Sequence, residues 1–214
     1  MNLMKFRYDL TNYLIKKYNY NSYLEIGLNH PHECFDFVKC NIKHSVEPGY
    51  KELEKNHATY KFTSDEFFSR LNYNVLDISK DYKWDIIFID GLHISYQVER
   101  DIINSLEHLS ENGTIVLHDC NPFMYDLSPM RVLEDYYGYE WNGTVWKAFY
   151  KLRTERNDLK MFCLNIDQGV GIIRRGISKT IPHDNTFYEY KLFNIKKEYY
   201  LNLIDENSLD IWLR

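Results

Sequence analysis

The chain has 214 residues, enough for one α/β domain with its own core but tight for two full domains. Its formal net charge of −5, with no long basic run, argues against a protein that binds nucleic acid through the phosphates. The four cysteines form no CxxC pair, which argues against a zinc knuckle or a disulfide framework and favours a cytoplasmic protein with reduced thiols. No apolar stretch reaches the length of a membrane span, and the N-terminus lacks the apolar core of a signal peptide.

Apolar periodicity predicts alternating helices and strands along the first half of the chain. The predicted elements are, in order, a helix at 5–18 within the N-terminal segment 1–20, a strand at 22–27, a helix carrying Cys34 and Val38, strands at 43–47 and 58–62, a helix at 65–71 capped by Ser64, a strand at 84–89, a helix at 95–109, a turn at 111–113 and a strand at 114–118. The strand at 84–89 is apolar on both faces, as expected of a buried parallel strand.

The second half of the chain has a less regular pattern. A variable insertion at 122–158 contains a predicted helix at 141–156, and a hairpin of two strands follows at 160–166 and 169–174. The segment at 184–214 is predicted to be helical, with its main helix at 186–204. No repeat, linker or low-complexity segment divides the sequence, so we expect a single domain over 1–214.

Four apolar runs of strand length each end in a polar or acidic residue. They occupy 23–27, 45–48, 84–93 and 113–119. Ligands of open α/β sheets bind outside the carboxyl ends of the strands, so these four ends predict one crevice for a nucleotide-like cofactor.

Glu25, Gly27 and Glu47 are the first candidates for binding that cofactor. Gly27 would let the backbone approach a ligand, and Glu25 beside it could take a cation or a hydrogen-bond donor. The further glycines of a dinucleotide fingerprint are absent, so the alternative is an ordinary turn between a strand and a helix. Glu47 follows Gly27 by twenty residues, a spacing at which an acid can accept both hydroxyls of a ribose.

Six segments give the chain a family resemblance over nearly its whole length. They are 23–27 (YLEIG), 63–68 (TSDEFF), 88–93 (FIDGLH), 116–122 (VLHDCNP), 142–147 (NGTVWK) and 200–204 (YLNLI). The chain resembles class I S-adenosylmethionine-dependent methyltransferases, and more narrowly the small O-methyltransferases of the methyltransferase domain 24 type that accompany glycosyltransferases. The resemblance implies an α/β, Rossmann-like domain whose mostly parallel seven-stranded sheet, flanked by helices, has the strand order 3-2-1-4-5-7-6 with the last hairpin strand antiparallel.

The resemblance also implies cofactor contacts. Ser64 and Asp65 match the segment that contacts the adenine of S-adenosylmethionine, and they also suit a helix N-terminus. Asn29 stands where the family usually has a second glycine or small residue. Because asparagine tolerates left-handed geometry, the turn can persist. The implied cofactor-binding residues are Glu25, Gly27, Asn29, Glu47, Ser64, Asp65 and Asp90.

Related metal-dependent O-methyltransferases place acidic metal ligands where this chain has Asp90 and Asp119. Carboxylates at two neighbouring strand ends can bind Mg²⁺ or Mn²⁺ through oxygen. His118 is the candidate third ligand, with Cys120 and Asn121 also near enough in the chain. The alternative is that the two acids cap adjacent helices.

His93 follows Asp90 by three residues, where relatives of the catechol type carry a catalytic base. A sugar hydroxyl is a poor nucleophile, and a histidine suits the removal of its proton near neutral pH. Two alternatives stay open: His93 only packs or caps the next helix, or Asp90 takes the proton itself.

The resemblance favours an O-methyltransferase, assisted by a divalent metal, that acts on a hydroxyl of a sugar in a glycan or glycosylated metabolite. One alternative is methylation of a small phenolic or other metabolite hydroxyl. Another is an inactive partner that binds the cofactor and supports a glycan-modifying enzyme. A homo-oligomer is a further expectation; nucleic acid and membrane partners are not expected.

Overall fold

The computed structural model describes residues 4–49, 55–123, 141–184 and 189–214. Its α-helices are α1 (Arg7–Tyr18), α2 (Ser64–Asn72), α3 (Ser95–Glu107), α4 (Val145–Glu155), α5 (Tyr190–Leu201) and α6 (Leu209–Trp212). Its strands are β1 (Ser22–Ile26), β2 (Ile42–Val46), β3 (Trp84–Ile89), β4 (Leu109–Leu117), β5 (Leu159–Leu164), β6 (Val170–Arg175) and β7 (Leu203–Ile204). Among these described residues, no helix is long and apolar enough to cross a membrane.

The strands form a seven-stranded sheet in the order β2-β1-β3-β4-β6-β5-β7. β1 runs parallel to both β2 and β3, whereas β5 and β6 form an antiparallel pair. The predicted α/β fold with a mostly parallel sheet is confirmed. Two details differ at the edges: the strand predicted at 58–62 is reduced to one parallel bridge between Val46 and Tyr60, and β7 adds a short strand parallel to β5.

The chain divides into two compact units. The first unit comprises Phe6–Leu92 and Arg100–Val116. Its centre is β3, in which every residue except Asp85 is buried, consistent with the apolar run that predicted a central strand. Trp84 packs there among aromatic rings, and its indole N–H donates to His44 Nδ1 at 3.0 Å.

The second unit comprises Met1–Lys5, His93–Glu99 and Leu117–Arg214. The hairpin β5–β6 and the buried face of α4 form its core. The rings of Trp146 and Phe193 stack there with their centroids 4.1 Å apart. The chain crosses between the units before α1, in the loop after β3, inside α3 and at the end of β4, and the single domain over 1–214 stays a prediction.

Two local predictions in the first unit are wrong. The helix expected around Cys34 is a pair of 3₁₀ turns, Pro31–Glu33 and Phe35–Phe37, because Cys34 between them leaves helical geometry at φ −145° and ψ −55°. The turn expected at 111–113 lies inside β4, which begins at Leu109. A Cβ on Gly113 would lie 2.8 Å from the Asp85 carbonyl oxygen, so this glycine serves close strand packing rather than a turn.

Helix boundaries also shift. The N-cap of α2 is Thr63, whose hydroxyl accepts from the Glu66 N–H at 3.2 Å, so Ser64 is the first helical residue and not the cap. The helix predicted at 186–204 is α5, which ends where Asn202 turns left-handed at φ 49° before β7. The helix predicted at 141–156 begins at Val145. Residues 124–140 of the insertion and 186–188 lie outside the described residues.

Candidate active site

Gly27 closes the end of β1 in the first unit. Its φ is +88°, and a Cβ at this position would lie 2.2 Å from the Asp90 carbonyl oxygen. The Gly27 N–H donates to the Val46 carbonyl at 2.9 Å, and the Asp90 N–H donates to the Ile26 carbonyl at 2.8 Å. These bonds hold the ends of three parallel strands together, and Gly27 lies in close contact with the backbone of Asp90.

Glu47 and Asn29 meet beside this point. Glu47 Oε2 accepts from the Asn29 backbone N–H at 3.3 Å, and Oε1 accepts from the Gly49 N–H at 2.9 Å. Asn29 has φ +43°, which is the left-handed geometry that its residue type tolerates. The structure therefore brings together two of the residues predicted to bind the cofactor and orients a half-buried carboxylate with backbone donors.

Glu25 lies inside β1 and is only 1% exposed. The Tyr23 hydroxyl donates to its carboxylate. Burial raises the pKa of Glu25 to about 8, because the charged form loses its hydration; the Tyr23 hydrogen bond and Arg7 act against this rise, and Asp90 adds to it. Glu25 is therefore mostly protonated at neutral pH, in an interior position behind the end of the strand.

Arg7 and Asp90 form an ion pair that sequence reasoning missed. Arg7 is the first residue of α1, and its Nε lies 3.7 Å from Asp90 Oδ2. The two side chains are 17% and 15% exposed, so water screens their charges only partly. Asp90, predicted to act as metal ligand, cofactor ligand and possible base, thus has a cationic partner within the protein.

Ser64 and Asp65, the residues predicted to contact the adenine, are the first two residues of α2. The Asp65 carboxylate is paired with the Arg100 guanidinium through Nη2 to Oδ2 at 2.8 Å and Nε to Oδ1 at 3.3 Å. Both side chains are about half exposed, so this pair contributes little to stability.

In the second unit, several polar groups lie around the Asp119 carboxylate. The side-chain amide of Asn142 donates to its Oδ1 at 2.6 Å, and His93 Nδ1 lies 3.2 Å from its Oδ2. Asp119 is 4% exposed and Asn142 is fully buried. Asp119 also has φ +60°, an unusual backbone geometry for a residue other than glycine. Such geometry persists where the surrounding contacts enforce it, and it is common at functional sites.

The segment 141–144 holds His93 in place. His93 Nδ1 lies 2.6 Å from the Trp141 carbonyl oxygen, and the Thr144 N–H donates to the His93 carbonyl at 2.8 Å. Gly143, at φ +58°, passes so close that a Cβ would lie 2.1 Å from the His93 carbonyl oxygen. A carbonyl oxygen can only accept a hydrogen bond, so the short contact places a proton on His93 Nδ1. The lone pair of the neutral ring is then on Nε2.

His118 is placed less favourably for binding a metal. Its Nδ1 lies 3.2 Å from Asp119 Oδ1, and its Nε2 lies 2.9 Å from the Asp167 carbonyl oxygen. Both ring nitrogens face oxygen atoms of the protein, so neither is in an open position to bind a metal. His118 would have to release one of these partners to act as the predicted third ligand.

Only some of the site residues that sequence analysis missed could have been identified from the sequence. The segment at 142–147 stood out because of the family resemblance, but the sequence did not indicate that it supports His93 and Asp119. Arg7 gave no signal, since one arginine in an amphipathic helix is ordinary.

Comparison with known proteins now identifies the domain. A family model described as "Methyltransferase domain" matches residues 20–120, which contain β1, β2, β3 and β4. Residues 20–120 are a methyltransferase domain. The resemblance to methyltransferases drawn from the motifs is thereby confirmed, and the methyltransferase domain contains every residue predicted to bind the cofactor.

Solved structures share the fold at low sequence identity. An SAH-bound methyltransferase of Podospora anserina is 16% identical, with 81% of this chain and 80% of that chain covered and a TM-score of 0.51. An O-methyltransferase of Bacillus cereus in complex with SAH is 12% identical, with 78% and 79% covered and a TM-score of 0.52. A putative O-methyltransferase of Klebsiella pneumoniae is 10% identical at the same coverage, with a TM-score of 0.52. No curated protein matches the sequence.

Proposed function

We propose that the chain is an S-adenosylmethionine-dependent O-methyltransferase that methylates a hydroxyl of a sugar in a glycan or glycosylated metabolite. The observation that carries the proposal is the methyltransferase-family match over residues 20–120. Solved structures of the same fold include an O-methyltransferase in complex with SAH, S-adenosylhomocysteine, which is the product of the cofactor. The choice of a sugar rests on the resemblance to methyltransferases that accompany glycosyltransferases.

The proposed cofactor site lies in the first unit, around the ends of β1 and β2. Glu47 would accept the ribose hydroxyls, Gly27 and Asn29 would form the turn beside the ligand, and Ser64 and Asp65 would contact the adenine. The backbone donors on Glu47 support this role, because they keep a charged acceptor in a defined orientation. Glu25 would support the turn from inside the sheet. S-adenosylmethionine would supply a methyl group activated on its sulfonium.

His93 is the proposed general base. Its Nδ1 proton is directed at the Trp141 carbonyl, so Nε2 is the atom that can accept the proton of the acceptor hydroxyl. With S-adenosylmethionine as the methyl donor, Nε2 would take the proton of the acceptor hydroxyl as that hydroxyl is methylated. The resulting imidazolium would be stabilised by Asp119, whose Oδ2 lies 3.2 Å from Nδ1. The Trp141 ring, stacked on His93 with centroids 5.4 Å apart, offers an apolar face for a ring-shaped acceptor.

A divalent cation is the second proposed cofactor. Asp90, His93 and Asp119 each offer an oxygen or nitrogen that can bind a metal ion, and this donor chemistry fits Mg²⁺ or Mn²⁺. Asp90 and Asp119 would be the principal ligands, and His118 the third after release of one partner. Such a cation would make a bound hydroxyl more acidic.

Calorimetry with S-adenosylhomocysteine tests the cofactor site. Replacing Glu47 with alanine removes charge-assisted hydrogen bonds, so we expect a loss of about 2–3 kcal/mol, on the order of 30–160-fold in affinity. The control is Glu111→Ala, which removes an exposed carboxylate from β4. Unchanged affinity in Glu47→Ala would reject the ribose assignment. Binding of S-adenosylhomocysteine without any methyl transfer would favour the inactive partner instead.

A further inference from the structure

The Arg7–Asp90 ion pair joins the start of α1 to the loop that follows β3. Arg7 Nε and Asp90 Oδ2 are 3.7 Å apart, and both side chains are more than four-fifths buried. The backbone of Asp90 is fixed by its N–H bond to the Ile26 carbonyl at 2.8 Å. The carboxylate is therefore held close to the guanidinium by a rigid strand end on one side and a helix on the other.

The neighbouring acid does not compete strongly for this arginine. Glu25 is 1% exposed, and burial raises its pKa to about 8, so it is largely uncharged at neutral pH. Asp90 is then the principal negative charge that Arg7 balances among these three groups. Inside the protein, opposite charges at this distance attract much more strongly than they do in water.

We propose that Arg7 and a divalent cation compete for the Asp90 carboxylate. The inference rests on the metal-assisted form of the proposed function. A dication bound to Asp90 would lie within a few ångströms of the Arg7 guanidinium, where two positive charges in a partly buried place repel each other. Arg7 thus neutralises Asp90 in the metal-free protein and weakens the binding of the metal, which must displace it.

The competition also connects the metal to helix α1. Displacing Arg7 releases the side chain at the first turn of that helix, so metal binding changes the contacts that hold the start of α1 against the Asp90 loop. The metal affinity of the protein is then set by a residue that need not touch the metal.

The competition is measured by titrating the protein with Mn²⁺ and monitoring the free ion by electron paramagnetic resonance. Arg7→Gln should bind Mn²⁺ about tenfold more tightly than the wild type or better, because the competing charge is gone. Arg7→Lys retains a cation and should stay near the wild-type affinity. Lys16→Gln removes the same charge from an exposed position of α1 and should leave the affinity unchanged. Adding Asp90→Asn to Arg7→Gln should abolish the gain.

An equal or weaker Mn²⁺ affinity in Arg7→Gln overturns the proposal, as does a gain that survives Asp90→Asn or a complete lack of Mn²⁺ binding in all variants. Arg7→Met, which keeps the length of the aliphatic stem, replaces Arg7→Gln if that variant does not unfold cooperatively. Binding of S-adenosylhomocysteine to the same proteins distinguishes a failure of the proposed function from a failure of the competition between Arg7 and the metal. A wild type that does not bind it contradicts the proposed function, whereas normal binding with unchanged Mn²⁺ affinity contradicts only the competition.

Discussion

Replacing Asn142 with alanine removes a short hydrogen bond to Asp119. The Asn142 amide donates to Asp119 Oδ1 at 2.6 Å, with Asn142 fully buried and Asp119 4% exposed. Because both residues are buried, water has little access to Asp119 and does not readily replace the lost donor. His93 lies 3.2 Å from the other carboxylate oxygen, so a change in the position of Asp119 reaches the proposed base.

The size of the effect follows from the charge on the acceptor. A hydrogen bond to a charged group is worth about 1.5–3 kcal/mol. For a protein of this length each kcal/mol shifts the melting temperature by about 2–4 °C, so Asn142→Ala should lower it by roughly 3–12 °C. If Asp119 stabilises the imidazolium of His93, turnover should fall as well, while the affinity for S-adenosylhomocysteine stays near the wild-type value.

Thermal unfolding followed by circular dichroism measures the stability, and calorimetry measures the affinity. The control is Asn157→Ala, an exposed asparagine of the same unit, which should change the free energy of unfolding by less than about 0.5 kcal/mol. An Asn142→Ala variant as stable as this control would refute the argument that Asp119 depends on the buried amide.

Three further predictions concern His93 and Glu25. Gly143→Ala should destabilise the protein by at least about 1–2 kcal/mol and reduce turnover, because the new Cβ would lie 2.1 Å from the His93 carbonyl oxygen at φ +58°; wild-type urea unfolding and turnover would contradict this. His93→Gln should reduce turnover about 10²–10⁴-fold and remove the fall in rate at acidic pH, and an acid limb that persists in the variant excludes His93 as the base. The stabilising effect of protonated Glu25, whose pKa rises from 4.5 to about 8 on folding, is complete below about pH 4.5 and is lost as the pH rises to about 8. Measured by urea unfolding and relative to Glu25→Gln, the wild type should lose on the order of 3–5 kcal/mol over that range, and the control Glu107→Gln, which keeps Glu25, should lose the same amount as the wild type.

The sequence predicted the strand ends well because their signals are local. Each apolar run that enters the sheet is followed at once by its polar residue, as in β3 and Asp90, and parallel strands present those residues at one edge. Gly27 and Asn29 were recognisable because few residue types adopt positive φ without strain. The strand ends of the first unit were therefore within reach of sequence analysis.

The contacts that sequence reasoning missed join residues that are far apart in the chain. Arg7 pairs with Asp90, and Asn142 donates to Asp119, through side chains that carry no pattern of their own. Glu25 was read as a ligand-facing acid, but its position within a strand buried on both faces gives it an interior place beside Tyr23. Only tertiary packing decides which acid lies inside the sheet and which lies at its edge.

The proposed methylation of a sugar hydroxyl is best tested by following the transfer of a labelled methyl group from S-adenosylmethionine. The purified protein, supplied with Mg²⁺ or Mn²⁺, is incubated with a panel of free sugars, glycosides and small phenols, and the products are identified by mass spectrometry. The account predicts a methyl ether on a sugar hydroxyl, formed by the wild type and reduced about 10²–10⁴-fold in His93→Gln. Methylation confined to phenols would contradict the sugar assignment, and methyl transfer to nitrogen or carbon would contradict the account as a whole.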